Sequence, residues 1–236
     1  MIMIKSPYYL AALLIISFWN ISIGKAQESQ NTAHVYGIQY RPPQGIEGFQ
    51  FMNKDWLPAN ITLFDNQVVK NLLVKYDIVN NNLTYYNPKL KSIYTIDPVT
   101  LKAFTTNPDD ADSAYFFHYS GNEVRFRLKQ GDFVRQAYNG KHIKFLIRYT
   151  SEISDAIEIN GKDKIIPEVY YFLFDGTTTK EIKLNVKSVI NVLQKRKKEI
   201  RKCAKRIHFR RKSEDFMINL LHEVDLLLSD TDTINL

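Results

Sequence analysis

The sequence is poor in the residues that staple, bend or catalyse. A single cysteine, Cys203, occurs in 236 residues. No intramolecular disulfide can form, and the fold must be held by packing alone, unlike small secreted scaffolds that depend on several bridges. Glycines number only 9, and none falls in the spacing of a phosphate-cradling loop. The histidines His34, His118, His142, His208 and His222 stand apart from one another. His222-Glu223 begins like a zinc-protease helix, but position 226 is Leu and the second ligand is missing. No nucleophile has a base beside it, so the sequence names no catalytic residue, no cofactor and no metal ligand. Asp109, Asp110 and Asp112 form an acidic group, yet the Gly and terminal Glu of a calcium loop are absent and a solvated turn is expected. Long apolar runs are lacking too. The core run, Tyr8 to Trp19, is shorter than the roughly 20 residues that a membrane-spanning helix needs.

What is present begins with a leader. Lys5 is followed by an apolar region from Leu10 to Ile23 and a small-x-small site at Gly24-Lys25-Ala26. Residues 1–26 therefore read as a signal peptide cleaved before Gln27, with export to the periplasm, the outer membrane or the extracellular space. The junction has no cysteine to take a lipid, and the mature chain is expected to contain no transmembrane segment. Residues 27–55 carry little periodicity beyond a short strand near Val35 to Tyr40.

Residues 56–184 have the character of a β-rich domain, and much of the chain's Tyr and Phe lies in its strand-like segments. Asp65-Asn66, Asn80-Asn81-Asn82 and Asn87-Pro88 punctuate short apolar runs in a meander, since Asn tolerates left-handed backbone and Pro cannot donate to a ladder. Consecutive Leu72, Leu73 and Val74 predict a bulge or a strand covered on both faces. Val124, Phe126 and Leu128 alternate with cations and predict an edge strand. Asn139-Gly140 predicts a tight hairpin between Phe133–Tyr138 and Ile143–Tyr149. Asn160-Gly161 and Asp175-Gly176 mark two further turns. The meanders, 56–106 and 114–184, form either one strongly curved sheet or two sheets meeting at 107–114.

From residue 185 the period changes to that of helices. Asn185 is placed to cap a helix carrying Val186, Val189, Ile190 and Leu193. Ile200, Cys203, Ala204 and Ile207 continue an apolar face, which makes Cys203 a core residue. Ser213 caps a last helix whose stripe is Phe216, Leu220, Leu221, Val224 and Leu227, and residues 229–236 are read as a polar tail. The fold class is therefore α+β, mainly antiparallel β meander sheets with C-terminal α-helices.

The quotable pattern within the β region is Lys75-Tyr76-Asp77 followed by Asn80 to Asn82. Together with the Ala26-Gln27 junction, Asn139-Gly140-Lys141 and the lysine-rich helical stretch over 187–228, it resembles a loose group of exported β-rich proteins of the Bacteroidota without assigned function. Asp65-Asn66 stands where that pattern has Asp-Gly. The resemblance implies export and a β-rich fold, and it carries no catalytic residues.

Charge is the one feature above background. Residues 195–212 hold eleven Lys or Arg and one acid, Glu199, whereas the remainder of 27–236 has 19 basic and 24 acidic residues. Lys195, Arg196, Lys198, Arg201, Lys202, Lys205, Arg206, Arg210 and Arg211 are the candidate anion-binding patch. Export excludes cytoplasmic nucleic acid, leaving anionic lipid headgroups, lipopolysaccharide or an acidic envelope protein as partners. The expected function is that of a non-enzymatic structural or binding protein of the envelope. A small periplasmic hydrolase is the alternative class, and a merely solvated helix surface is the bland explanation of the charge.

Overall fold

The computed structural model describes residues 35–42, 46–154, 163–194, 196–208 and 212–232. Residues 1–26, read above as a signal peptide, the Asn160-Gly161 turn and the end of the tail lie outside them. Twelve strands form one sheet: β1 (Gly37–Gln39), β2 (Ile46–Glu47), β3 (Leu57–Leu63), β4 (Val68–Asp77), β5 (Asn82–Asn87), β6 (Ser92–Ile96), β7 (Leu101–Thr106), β8 (Ala114–His118), β9 (Phe133–Asn139), β10 (Lys144–Ser154), β11 (Asp163–Phe174) and β12 (Thr179–Ile182). Among the described residues three helices follow: α1 (Val186–Leu193), α2 (Lys197–Arg206) and α3 (Glu214–Asp232). The class is the expected α+β, with an antiparallel sheet and C-terminal helices.

The strand order is β1-β6-β5-β4-β3-β7-β8-β9-β10-β11-β12, with β2 pairing in parallel to the start of β11. Pairing of β7 with β8 carries the sheet across residues 107–113, so the single-sheet architecture is the one observed. Its first half must be rolled. β6 and β7 are separated by three strands, roughly 19 Å in a flat sheet. They are nevertheless joined by a turn at 97–100 closed by Thr100 N–H to Asp97 O at 3.0 Å, and such a turn spans less than about 7 Å. Curling brings Ile61, Tyr76, Leu83, Phe104, Phe116 and Phe133 into one core. The Phe104 and Phe116 rings stack there with centroids 4.6 Å apart.

Asparagines set the turns of this roll. Asn66 and Asn81 adopt left-handed φ of 65° and 54°, and Asp65 Oδ1 accepts from Gln67 N–H at 3.0 Å. Asn71, at φ 56°, marks a bulge where the β3–β4 register shifts between Ala59 and Ile61. The bulge therefore falls just ahead of the Leu72-Leu73-Val74 run. Within the Lys-Tyr-Asp pattern, buried Asp77 accepts from the Val79 and Asn80 amides, each at 3.0 Å. Asn81 Oδ1 accepts from Tyr76 Oη at 2.8 Å and Phe133 N–H at 3.0 Å, fastening the β4–β5 turn to β9.

One sequence expectation fails here. Val124–Leu128 is not an edge strand: Arg125 and Phe126 have φ of 49° and 60°, and Arg127 N–H reaches Val124 O at 2.9 Å. The resulting turn sends Leu128 into the core beside Tyr119, Val134, Leu146 and Phe172, leaving Phe126 exposed. Alternation was produced by a turn and not by a pleat. The hairpin at Asn139-Gly140 is present, with β9 antiparallel to β10. Asn139 pairs with Lys144 in the ladder, and the loop runs from Gly140 to Ile143, closed by Gly140 N–H to Ile143 O at 2.9 Å.

That loop is shaped by α3. Asp225, 7% exposed, accepts the Lys141 amide on Oδ2 at 2.8 Å and the His142 and Ile143 amides on Oδ1 at 2.8 and 3.1 Å. A Cβ on residue 140 would lie 2.5 Å from Asp225 Oδ2, so glycine is required for the carboxylate's close approach. The remaining face of β9–β12 packs on the helices through Phe145, Ile147, Leu173 and Ile182. Asn185 Oδ1 caps α1 by accepting Ser188 N–H at 2.9 Å, and Ser213 Oγ caps α3 by accepting Phe216 N–H at 3.1 Å. The α3 stripe is as expected with Met217 added, and the helix continues past Leu228 to Asp232.

Candidate anion-binding face

The helical region positions the cations through one sharp reversal. α1 ends at Gln194, whose left-handed φ of 50° lets its N–H reach Ile190 O at 2.8 Å. Arg196, φ 57°, then starts α2 without a side-chain cap. Two non-glycine residues in this region cost on the order of 1 kcal/mol each, and the compensating contacts are those of the next helix. Ile200, Cys203 and Ala204 are buried in the core cluster shared with α1 and α3. Helical spacing then leaves Lys198, Arg201, Lys202 and Lys205, at i, i+3, i+4 and i+7, on a shared exposed face.

The nine sequence candidates separate into groups. Lys195, Arg210 and Arg211 lie outside the described residues. Arg196 is half-buried and donates to Leu227 O at 2.6 Å, tying the start of α2 to α3. Arg206 pairs with Glu223 at 2.9 Å and also reaches Cys203 Sγ at 3.4 Å. Both have structural duties. Lys198, Arg201, Lys202 and Lys205 form no ion pair among the described residues. Elsewhere several arginines are paired, whereas the strand residues Lys70, Lys102, Lys144 and Lys164 form no ion pair among the described residues. Arg127 pairs with Glu181, Arg135 with Glu214 and Arg148 with Asp132, at 2.6, 3.1 and 2.9 Å.

Two further cations join the group that sequence reasoning did not select. Lys187 on α1 and Lys197 at the start of α2 flank a groove between these helices. Lys187 lies outside the basic run, and only the reversal at 194–196 brings it beside α2.

Other chemistry is sparse in the described residues. Among the described residues, the three depressions around the helices hold no serine, threonine or histidine in their linings, and one includes Cys203. No group of three or more His, Cys, Asp or Glu is arranged to hold a metal among the described residues. The His118 ring lies against Phe133, centroids 3.9 Å apart and planes tilted by 41°, and burial lowers its pKa. Cys203 is buried in the helical core, and His222 is exposed on α3. Among the described residues no helix is long and apolar enough to cross a membrane. Comparison with protein-family models, curated proteins and solved structures gives no match to this chain.

Proposed function

We propose that the protein is an exported, non-enzymatic module that attaches to anionic lipid at the cell envelope through the exposed face of α2. The observation that carries this reading is the set of four cations, Lys198, Arg201, Lys202 and Lys205, on one helical face with no carboxylate partner among the described residues. Each cation near an anionic membrane contributes on the order of 1 kcal/mol, and that attraction decays within a Debye length of roughly 10 Å at 0.1 M salt. Four together hold a protein at a surface without insertion. The leader-like character of residues 1–26 supports an envelope setting.

The test is sedimentation of the purified chain, lacking residues 1–26, with lipid vesicles. Vesicles containing phosphatidylglycerol should carry the protein down at low salt and release it as ionic strength rises, whereas phosphatidylcholine vesicles should not. Equal recovery on both would remove the electrostatic basis. Absence of binding to either would favour lipopolysaccharide or an acidic protein as the partner.

A further inference from the structure

The groove between α1 and α2 differs in character from the open face beside it. It encloses about 440 Å³, within the roughly 300–1,000 Å³ typical of small-ligand sites. Val186 and Ile190 from α1 and Ala204 from α2 give it apolar walls, while Lys187, Lys197, Arg201 and Lys205 supply positive charge, and no carboxylate among the described residues lines it. The depression on the other side of α2, about 430 Å³, includes Glu199 among its cations, and the one beside β12 includes Glu181. Of these three, the α1–α2 groove alone joins an apolar lining to uncompensated positive charge. A simple anion would find sufficient charge on the open face and gain nothing from the apolar lining. A neutral apolar ligand would leave the four cations repelling one another. The complement to both properties is an alkyl chain ending in an anion.

We infer that the α1–α2 groove receives one acyl chain of an anionic lipid, with methylenes against Val186, Ile190 and Ala204 and the phosphate head among Lys187, Lys197, Arg201 and Lys205. This rests on the reading of α2 as a lipid-facing surface and adds the mode of capture: attraction at the open face, followed by seating of a single chain. Each additional methylene buried should tighten binding roughly fourfold.

Calorimetric titration of the full mature chain with decyl phosphate and dodecyl phosphate, both below their micellar concentrations, tests this directly. Dodecyl phosphate should bind roughly tenfold or more tightly than decyl phosphate, with inorganic phosphate and dodecyl maltoside each far weaker than either. Ile190→Gln and, separately, Val186→Gln should reduce dodecyl phosphate affinity at least about tenfold, the loss expected from two or more unburied methylenes. Circular dichroism would establish that each variant is folded. Lys198→Gln/Lys202→Gln lies outside the groove lining, so it should weaken vesicle sedimentation while leaving dodecyl phosphate binding within about twofold, since these side chains touch neither head nor chain. Alkyl phosphates binding no better than inorganic phosphate would overturn the inference, as would folded groove variants that bind dodecyl phosphate like the parent. Retained dodecyl phosphate binding without vesicle sedimentation would support the groove and remove the surface reading alone.

Discussion

Replacing Asp225 probes the contact that most directly couples the helical region to the sheet. Its carboxylate accepts three consecutive backbone amides, those of Lys141, His142 and Ile143. Hydrogen bonds to a charged group contribute about 1.5–3 kcal/mol each, and a buried donor left unpaired costs about 1–3 kcal/mol. In Asp225→Ala the exposed Lys141 amide rehydrates and the half-buried His142 amide does so in part, whereas Ile143, 0% exposed, keeps an orphaned N–H. Relief of the carboxylate's own desolvation offsets part of the loss. The net destabilisation should be about 3 kcal/mol, a large share of the 5–15 kcal/mol typical of a domain. Asp225→Asn should cost less, because its oxygen can still accept from two amides while its NH₂ faces the third.

Gly140→Ala should cost about 2 kcal/mol through overpacking, since its Cβ would lie 2.5 Å from Asp225 Oδ2. In the Asp225→Ala background that penalty should shrink by about 1 kcal/mol, because the carboxylate clash is gone and the contact with Tyr138 Cε1 at 2.7 Å remains. Urea titrations of the four proteins measure these terms as midpoint shifts at constant slope. Hydrogen exchange should show faster opening at 141–143 in Asp225→Ala. A loss below about 1 kcal/mol, or strictly additive effects at 140 and 225, would refute the clamp.

Further substitutions test the rest of the fold. Phe104→Ala removes a ring stacked on Phe116 at 4.6 Å and should lower stability by about 3–5 kcal/mol; a urea midpoint near the parent's would contradict the rolled core. Asn185→Ala should cost about 1 kcal/mol by leaving the Ser188 amide without its cap, read as a drop in thermal midpoint. Tyr138 is pushed up to about 12 by burial and the Asp225 carboxylate, and Tyr171 to about 12 by burial and Glu214. Both folded values exceed the ordinary value near 10, so this contribution is intact below pH 10 and is lost as pH rises towards 12. Urea midpoints should fall over that window, and Tyr138→Phe/Tyr171→Phe should flatten the fall; parallel curves would count against it.

Local signals were legible where one residue does one local job. Asn185 and Ser213 read as caps because their side chains need only reach an amide three residues on. The stripe on α3 followed from helical period. Asp65-Asn66 read as a turn because Asn66 tolerates left-handed backbone. Less was legible where distant groups decide local geometry. Asn139-Gly140 marked the hairpin, but Asp225, more than eighty residues on, organises its loop around three amides. Val124–Leu128 alternates like a strand, yet positive φ at Arg125 and Phe126 folds it back. The basic run was visible as composition. Which of its members are spent on Leu227 and Glu223, and that Lys187 joins the others, depends on the reversal at Gln194 and Arg196 and on packing against α3.

Unpaired charge on α2 is proposed to attach the protein to anionic lipid. The most direct test is phosphatidylglycerol-vesicle sedimentation of Lys198→Gln/Arg201→Gln/Lys202→Gln/Lys205→Gln against Arg206→Gln, across a salt series. Because the four side chains are exposed and Arg206 is engaged by Glu223, the quadruple variant should lose most vesicle binding and most of its salt dependence while keeping the parent's urea midpoint. Arg206→Gln should bind nearly as the parent does. Undiminished binding by the folded quadruple variant would contradict the account.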